Sequence, residues 1–500
     1  MAFNAAHARG PDYMKHGTHL GAITVALAAA LLPGLAPLAA AAGASSNTPP
    51  ALHLTLSEAV EAALRLNPGL KAAGHQATAA TRDASAAARG RWGELDSTAS
   101  YSYFNHHLIL VPMYQELLAN GISGLPFDRS QAQYGLVYQF PLYLGGKLNN
   151  QIHIARLESS KAAALLEGNR WQVRFNVVSL YSTAQALDQI LASLDEQLAT
   201  LRQTQSTLEE MVKLGKRPEV DRLKVVDELE GVKGQRASVQ ADRIKVGALL
   251  LSLLGRDPAA GVTVDPLTGS ADFQSAVSPT SSRRSVDTND VADNSQAPRI
   301  GNPRYGRLEV RATNSLLSAA DNNSAVRAAR LAAEQADRGL KVARSDFLPK
   351  VYAGASYEDY TGTETDRTLA IWTATVSVKL PLFEGNARFK RREAARQRQA
   401  AAREALTEAR LKVQADLQDA LARRDAARAQ LTAAKAQGAA ATEAARIEQV
   451  RYDTGASTIE DLLRARAREE GAKAAVASAQ AGLVTAGERI NSVVEKEVIQ

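Results

Sequence analysis

The stretch QAQYGLVYQFPLYLGGK at residues 131–147 returns 240 positions later as IWTATVSVKLPLFEGNA at residues 371–387. In the first copy Ala132, Tyr134, Leu136, Tyr138, Phe140 and Leu142 alternate with Gln131, Gln133, Gly135, Val137, Gln139 and Pro141. In the second, Trp372, Ala374, Val376, Val378, Leu380 and Leu382 alternate in the same parity with Thr373, Thr375, Ser377 and Lys379. Alternation held over about a dozen residues is the pattern of a strand with one apolar face. Each phrase closes on a proline, an apolar pair and a glycine: Pro141 with Gly145, and Pro381 with Gly385. Proline removes a ladder donor and glycine permits a turn, so these four residues mark a junction where a strand ends and the chain enters a new element.

Working outward, the repeat widens to most of the chain. The spacing of 240 also relates Gly215 in LGKRPEVDRLKVVDELEG to Gly455 in TGASTIEDLLRARAREEG, and Asp221 to Asp461. Upstream of the strands the spacing is 256: STASY ending at Tyr101 matches AGASY ending at Tyr357, Asn67 matches Asn323, and Leu70 matches Val326. The first copy therefore carries 16 additional residues between Tyr101 and Pro141, read as a longer loop in an otherwise conserved register.

Each copy has the same order of elements. Helices come first, as in LTLSEAVEAALRLNPGL, where Asn67 and Pro68 separate a short helix from a medium one and Pro68 suits a first helical turn. Two strands follow, with LDSTASYSYF and VYAGASYEDY as partners of the opening stretches. After the junction glycine each copy runs without proline from Leu148 to Leu214 and from Ala387 to Thr454, a helical rod of about 100 Å. The glycines at 215 and 455 turn the chain and a second long helix returns. These helices are rich in Ala, which lets neighbours approach closely in coiled-coil-like packing.

The expected layout is a signal peptide over 1–44, a first repeat over 45–254, a polar connector over 255–312 and a second repeat over 313–500. The first repeat holds a β-hairpin about 95–144 and a helical hairpin about 147–254; the second holds a β-hairpin about 350–383 and a helical hairpin about 386–495. The signal peptide is read from Arg9 and Lys15, the apolar run LGAITVALAAALL and the Ala-rich stretch after it. That run is shorter than a spanning helix requires. The connector is rich in Pro, Ser, Asp and Asn and is expected to be partly disordered.

Composition excludes several functions. With no cysteine, thiol catalysis, disulfides, thiolate-ligated metals and an N-terminal lipid-bearing cysteine are out. The 59 basic residues exceed the 53 acidic ones by only 6 and are interleaved with them, so nucleic-acid binding is not expected. LYLGGKLNN lacks the first glycine of a phosphate loop, where Pro141 stands, and its hydroxyl, where Leu148 stands. His106 and His107, in the inserted segment, have no third ligand in view, and no nucleophile–base or paired-carboxylate constellation occurs, so neither a metal, a cofactor nor an enzyme is expected.

Periodicity alone fits an ordinary soluble sheet as well as a membrane one. Strand length, aromatic residues near the strand ends and the export signal favour a transmembrane barrel. Four strands cannot close one, and an open edge in hydrocarbon leaves backbone groups unpaired. Several copies must then contribute to a shared barrel. The competing reading is a periplasmic coiled-coil adaptor or scaffold without a pore.

At these residues the chain resembles the TolC-like outer-membrane efflux channels. The resemblance rests on LTLSEAVEAALRLNPGL, LPKVYAGASY, the PLYLGGK and PLFEGNA junctions and the paired glycine turns followed by Asp221 and Asp461, and it covers nearly the whole mature chain. It implies a mainly α protein with transmembrane β, in which a homotrimer forms a twelve-stranded barrel in outer-membrane lipid, continued by an α-helical barrel in the periplasm. It implies docking on a periplasmic adaptor and an inner-membrane pump of proton-driven RND or ATP-driven ABC type, in efflux or type I secretion. The helix turns would form the periplasmic mouth, with Tyr452, Asp221 and Asp461 at positions that close or line it. This chain departs from the family's well-known member in having Ser457 in place of a bonding arginine and Arg464 in place of a second aspartate; Lys216 and Arg217 are the cations at hand to replace them. A ring of Asp461 carboxylates around a narrow axis would raise one another's pKa and attract cations. Asp221 and Asp461 equally fit a role in capping the helices after the turns. Arg388, Lys390, Arg391 and Arg392 fit either anionic lipid head groups or a solvated helix face.

Overall fold

The computed structural model describes residues 52–113, 115–118, 125–266, 316, 318–363 and 368–498. The expected signal peptide, and the connector beyond residue 266, lie outside them. In chain order the elements are β1 (Leu52–Leu54), α1 (Leu56–Leu66), α2 (Pro68–Arg89), β2 (Glu94–Ile109), α3 (Gln115–Leu118), β3 (Phe127–Tyr143), α4 (Lys147–Lys213), α5 (Glu219–Leu253), β4 (Val262–Val264), α6 (Ser324–Ser345), β5 (Lys350–Gly362), β6 (Thr368–Lys379), α7 (Ala387–Asp453) and α8 (Ile459–Val494).

Local chemistry sets the helix starts. The Thr55 hydroxyl accepts from the Glu58 N–H at 3.3 Å while the Glu58 carboxylate accepts from the Thr55 N–H at 2.9 Å, a reciprocal cap that opens α1. Asn67 ends α1 and caps α2, with Pro68 in the first turn where its missing N–H costs nothing. Asn67 also reaches across the fold: its Nδ2 donates to the Leu253 carbonyl at 2.8 Å. In the second repeat Asn323 caps α6 and donates to the Val493 carbonyl at 2.9 Å. Asn323 lies 256 positions after Asn67, and Val493 lies 240 after Leu253, so the two repeats are clasped by equivalent bonds.

Around each clasp sits a core. The first buries Ala59, Ala63, Val177, Tyr181, Leu250, Leu251 and Leu254, and the second buries Ala320, Val326, Val413, Leu417, Ala420, Ile490, Val493 and Val494. Full burial of each Leu, Ile or Val contributes about 1.5–3 kcal/mol. The first core has an addition that sequence reading missed. Three connector residues, β4, pair in parallel with β1. The Tyr181 hydroxyl donates to the Leu54 carbonyl and accepts from the Asp265 N–H, both at 3.0 Å. The connector thus starts as folded structure, because β1 offers it a backbone ladder and Tyr181 two polar anchors.

The other four strands form one antiparallel sheet in the order β2-β3-β5-β6. Each repeat supplies a hairpin, and the hairpins join through β3 and β5, with Gln139 opposite Gly354. Pro141 differs from its expected role: it lies inside β3, opposite Tyr352, where the register slips before Tyr143. A bulge tolerates a missing donor, so the strand continues past the proline. In the second repeat β6 stops at Lys379, ahead of Pro381. At the junctions the backbone turns through left-handed geometry at Gly145 and Gly385, with φ of 63° and 56°, and again at Gly146 and Asn386. The long helices α4 and α7 start directly after these turns. His106 and His107 lie within β2, not in a loop.

Candidate channel wall and helix-tip site

The sheet has two unlike faces. Strand alternation and register put Leu95, Ala99, Tyr101, Tyr134, Leu136, Tyr357, Trp372, Val376 and Val378 on one face. That face is open: Trp372 is 76 % exposed, Val376 70 % and Tyr101 65 %. Aromatic and branched side chains this exposed form a continuous apolar patch, which a monomer in water does not maintain without a partner phase. The opposite face carries Asp96, Thr98, Ser100, Gln131, Gln133, Gln139, Ser356, Glu358, Tyr360, Thr373, Thr375 and Lys379. On it the Gln133 amide donates to Glu358 at 3.0 Å and to the Tyr360 hydroxyl at 3.3 Å. Apolar on one side and hydrogen-bonding on the other, the sheet can separate hydrocarbon from water. Among the described residues no helix is long and apolar enough to cross a membrane.

Where β6 meets α7, Arg388 donates to the Pro381 and Leu382 carbonyls at 2.7 and 2.9 Å. Its guanidinium lies 5.2 Å from the Phe347 ring, and Arg392 lies 5.3 Å from the same ring. Phe347 in turn meets Phe389 edge-on at 5.1 Å. Arg391 pairs with Glu384 at 3.5 Å. Three of the four clustered cations are therefore engaged in holding the junction.

At the far end of the long helices both turns are built alike. Gly215 and Gly455 take φ of 68° and 78°. The Lys216 N–H bonds the Met211 carbonyl and the Gly215 N–H bonds Val212; the Ala456 and Gly455 N–H groups bond Arg451 and Tyr452 in the same way. This is the left-handed glycine termination that satisfies the last carbonyls of a helix. The helices that follow start differently. Pro218 precedes α5 with no side-chain cap, whereas the Thr458 hydroxyl accepts from the Asp461 N–H and opens α8.

The structure brings Tyr452 and Arg217 together, with the Asp221 charge acting on Tyr452, and leaves Lys216 apart. The Arg217 guanidinium lies 4.9 Å from the centre of the Tyr452 ring. Burial pushes the Tyr452 hydroxyl pKa up, with Asp221 adding to the rise and Arg217 opposing it. Lys216 is exposed on the turn, engaged through its backbone. Asp461 is a second group. Thr458 donates to its carboxylate at 2.7 Å, and Arg464 stands 3.8 Å away. The Thr458 hydrogen bond, helped by Arg464, holds the Asp461 carboxyl below the usual aspartate range. Within one subunit this is opposite in direction to the rise expected of a carboxylate ring, and the cause is local. The cap of α8 is Thr458 and not Asp461, which stands in the first turn with its N–H bonded to the Thr458 hydroxyl; Asp221 likewise stands in the first turn of α5 and does not cap it. Arg464 also pairs with Glu460 at 2.9 Å, and Ser457 donates to Glu448.

Sequence reading missed Lys224 and Glu460, which tie α5 to α8 at 3.0 Å. They lie 236 residues apart, so no local pattern reveals the pair. Among the described residues no group of His, Cys, Asp and Glu could hold a metal.

A model of a protein family described as outer membrane efflux protein matches residues 59–256 and 316–494. No match was found among the curated protein sequences. Solved structures resemble the chain at low identity. The outer membrane protein VceC of Vibrio cholerae superposes with a TM-score of 0.68 at 18 % identity, covering 88 % of this chain and 96 % of its own. The CmeC outer membrane channel of Campylobacter jejuni gives 0.67 at 16 %, covering 89 % and 87 %. The MtrE outer membrane channel of Neisseria gonorrhoeae, in its open state, gives 0.66 at 18 %, covering 89 % of each.

Proposed function

This chain belongs to the outer membrane efflux protein family, and from that premise we propose that it is the outer-membrane conduit of a tripartite export system. Three copies assemble a twelve-stranded barrel, and their long helices continue it as a tube on the periplasmic side. Passage through the tube is passive. The driving force comes from an inner-membrane transporter, of RND or ABC type, coupled through a periplasmic adaptor at the helix tips.

The observation that carries this reading is the four-stranded sheet itself. It exposes an apolar face opposite a hydrogen-bonding face and has, among the described residues, two unpaired edges, β2 and β6. Unpaired backbone is not tolerated in hydrocarbon, so the edges require strands from other copies. An adaptor without a pore gives no reason for such a sheet. The mouth is built from the two tips: Tyr452, Arg217 and Asp221 form one constriction and Asp461 with Arg464 another, turned by Gly215 and Gly455 and flanked by Lys216.

The test is reconstitution. Detergent-purified protein is expected to run as a trimer and to conduct ions in planar bilayers, and Asp461→Asn is expected to lower its cation preference. A monodisperse single subunit, soluble without detergent and silent in bilayers, overturns the conduit. Conductance with unchanged selectivity in Asp461→Asn removes that residue from the mouth alone.

A further inference from the structure

The duplication within one chain carries enough information to specify how the next chain attaches. The two hairpins share one register under two shifts: Glu94 opposite Gln139 becomes Lys350 opposite Lys379, and Tyr101 opposite Ala132 becomes Tyr357 opposite Trp372. First strands move by 256 and second strands by 240, and the relation holds for every pair from Glu94 to Tyr103. The seam between hairpins is β3 against β5. The same two shifts turn β3 into β6 and β5 into β2, the two edges left unpaired among the described residues.

We propose that β6 pairs antiparallel with β2 of a second copy of this chain in the register that the β3–β5 seam dictates, with Lys379 facing an acidic patch on that copy. This rests on the conduit reading above and specifies its subunit contact. Val137 opposite Ser356 becomes Ser377 opposite Ser100 of the next copy. Leu136 opposite Tyr357 becomes Val376 opposite Tyr101, and Tyr138 opposite Ala355 becomes Val378 opposite Ala99. Apolar residues then meet apolar residues on the exposed face, and hydroxyls meet hydroxyls on the other.

Charge is compatible with the same register. Gln139 opposite Gly354 becomes Lys379 opposite Thr98 of the next copy, and Asp96 stands two positions along on the same face. Diagonal neighbours at about 7–8 Å are within reach of a long side chain. Within its own chain Lys379 lies opposite Lys350, a like charge, and Lys350 is already paired with Asp346 at 3.3 Å. Among the described residues neither Lys379, Asp96 nor Glu94 forms an ion pair. The helices agree. Arg489 lies over Phe175 at 5.6 Å where the second repeat packs on the first; the shifted positions are Leu249 and Ala415, and Leu249 is exposed in one chain.

A chain without cysteine is suited to the test. Three double variants are oxidised in the purified, membrane-reconstituted full chain: Ser100→Cys with Ser377→Cys, and the offsets Thr98→Cys or Ser102→Cys with Ser377→Cys. Val137→Cys with Ser356→Cys, the internal equivalent, calibrates the geometry. The matched pair is expected to give reductant-sensitive multimers in SDS at least tenfold faster than either offset. A conducting trimer in which an offset links faster, or in which none links while the internal control does, overturns the register and leaves the conduit standing. Protein that neither associates nor conducts overturns the conduit, and the seam with it. Lys379→Glu, which needs no new cysteine, is expected to make the trimer fall apart at lower SDS, with Asp96→Lys in the same chain restoring it; failure of restoration overturns the ion pair.

Discussion

The two helical hairpins occupy equivalent places in the repeats and are built from opposite materials. The first carries a leucine core: Leu194, Leu198, Leu201 and Leu208 on α4 close against Val225, Leu229 and Val232 on α5. At the matching positions, 240 residues on, the second has Ala434, Gly438, Ala441 and Glu448 on α7, and Ala465, Glu469 and Ala472 on α8. The buried Glu469 is held by Arg466 at 3.0 Å and Lys473 at 3.3 Å. Ile459 and Leu462, at the start of α8, pack into the leucine cluster of the first hairpin. Small residues allow close helix approach but bury little, and a buried ion pair roughly offsets its own desolvation. The first hairpin is therefore self-sufficient, and the tip of the second depends on it.

The strongest way to break this comparison is to thin the first core and thicken the second. Leu198→Ala is expected to lose about 2–5 kcal/mol of stability through the cavity it leaves. Gly438→Ala, the matching position, is expected to change stability by less than about 1 kcal/mol, in the stabilising direction, because helix interiors favour Ala. A methyl at 438 meets Val476 Cγ2 at 3.5 Å, an ordinary contact. Chemical denaturation of the two variants measures both effects; equal losses would show that the hairpins carry similar cores after all.

Nearer the sheet the repeats agree, and a smaller effect tests that agreement. Asn67→Ala and Asn323→Ala each remove a helix cap and a bond to a distant carbonyl, part-buried at Leu253 and buried at Val493. Each is expected to cost about 1–3 kcal/mol, and the two costs should match. A marked inequality in denaturation midpoints would point to what surrounds the clasps. On the first side Gly255 takes a left-handed turn whose Cβ would lie 2.8 Å from the Leu66 carbonyl oxygen. On the second Glu495 takes that conformation, with φ of 53°, and its carboxylate accepts from the Ser324 N–H at 2.8 Å.

What could be read from the residues followed what repeats with a period. Alternation placed the apolar faces of β3 and β6, the glycines located both helix turns, and the unbroken stretches after the junctions located α4 and α7. Features set by a distant partner stayed hidden. The β1–β4 ladder joins two three-residue strands more than 200 positions apart, too short for any pattern to show. In the sequence Pro141 reads as a strand end because a lost donor usually stops a ladder, and the bulge that accommodates it exists only with β5 alongside. At the tips the residue types were visible but their grouping was not. Arg217 is drawn to Tyr452 and adjacent Lys216 is not, which depends on how the turn aims successive side chains.

The smallest effect separates the two tips themselves. The start of α8 is held by Thr458, whose hydroxyl bonds both the N–H and the carboxylate of Asp461; the start of α5 follows Pro218 and has no side-chain cap to lose. The Asp461 pKa is lowered in the folded chain. Its contribution is therefore fully present above the ordinary aspartate value and is lost as pH falls through the lower folded value. Amide exchange at 459–462, corrected for the intrinsic rate, is expected to accelerate below about pH 4, while exchange at 219–222 changes less. Asp461→Ala should reduce the difference, leaving the part due to Glu460, whose bond to Lys224 also holds its carboxyl low. If the acceleration is undiminished in that variant, the cap does not depend on the Asp461 carboxylate, and the contrast between the tips reduces to proline against threonine.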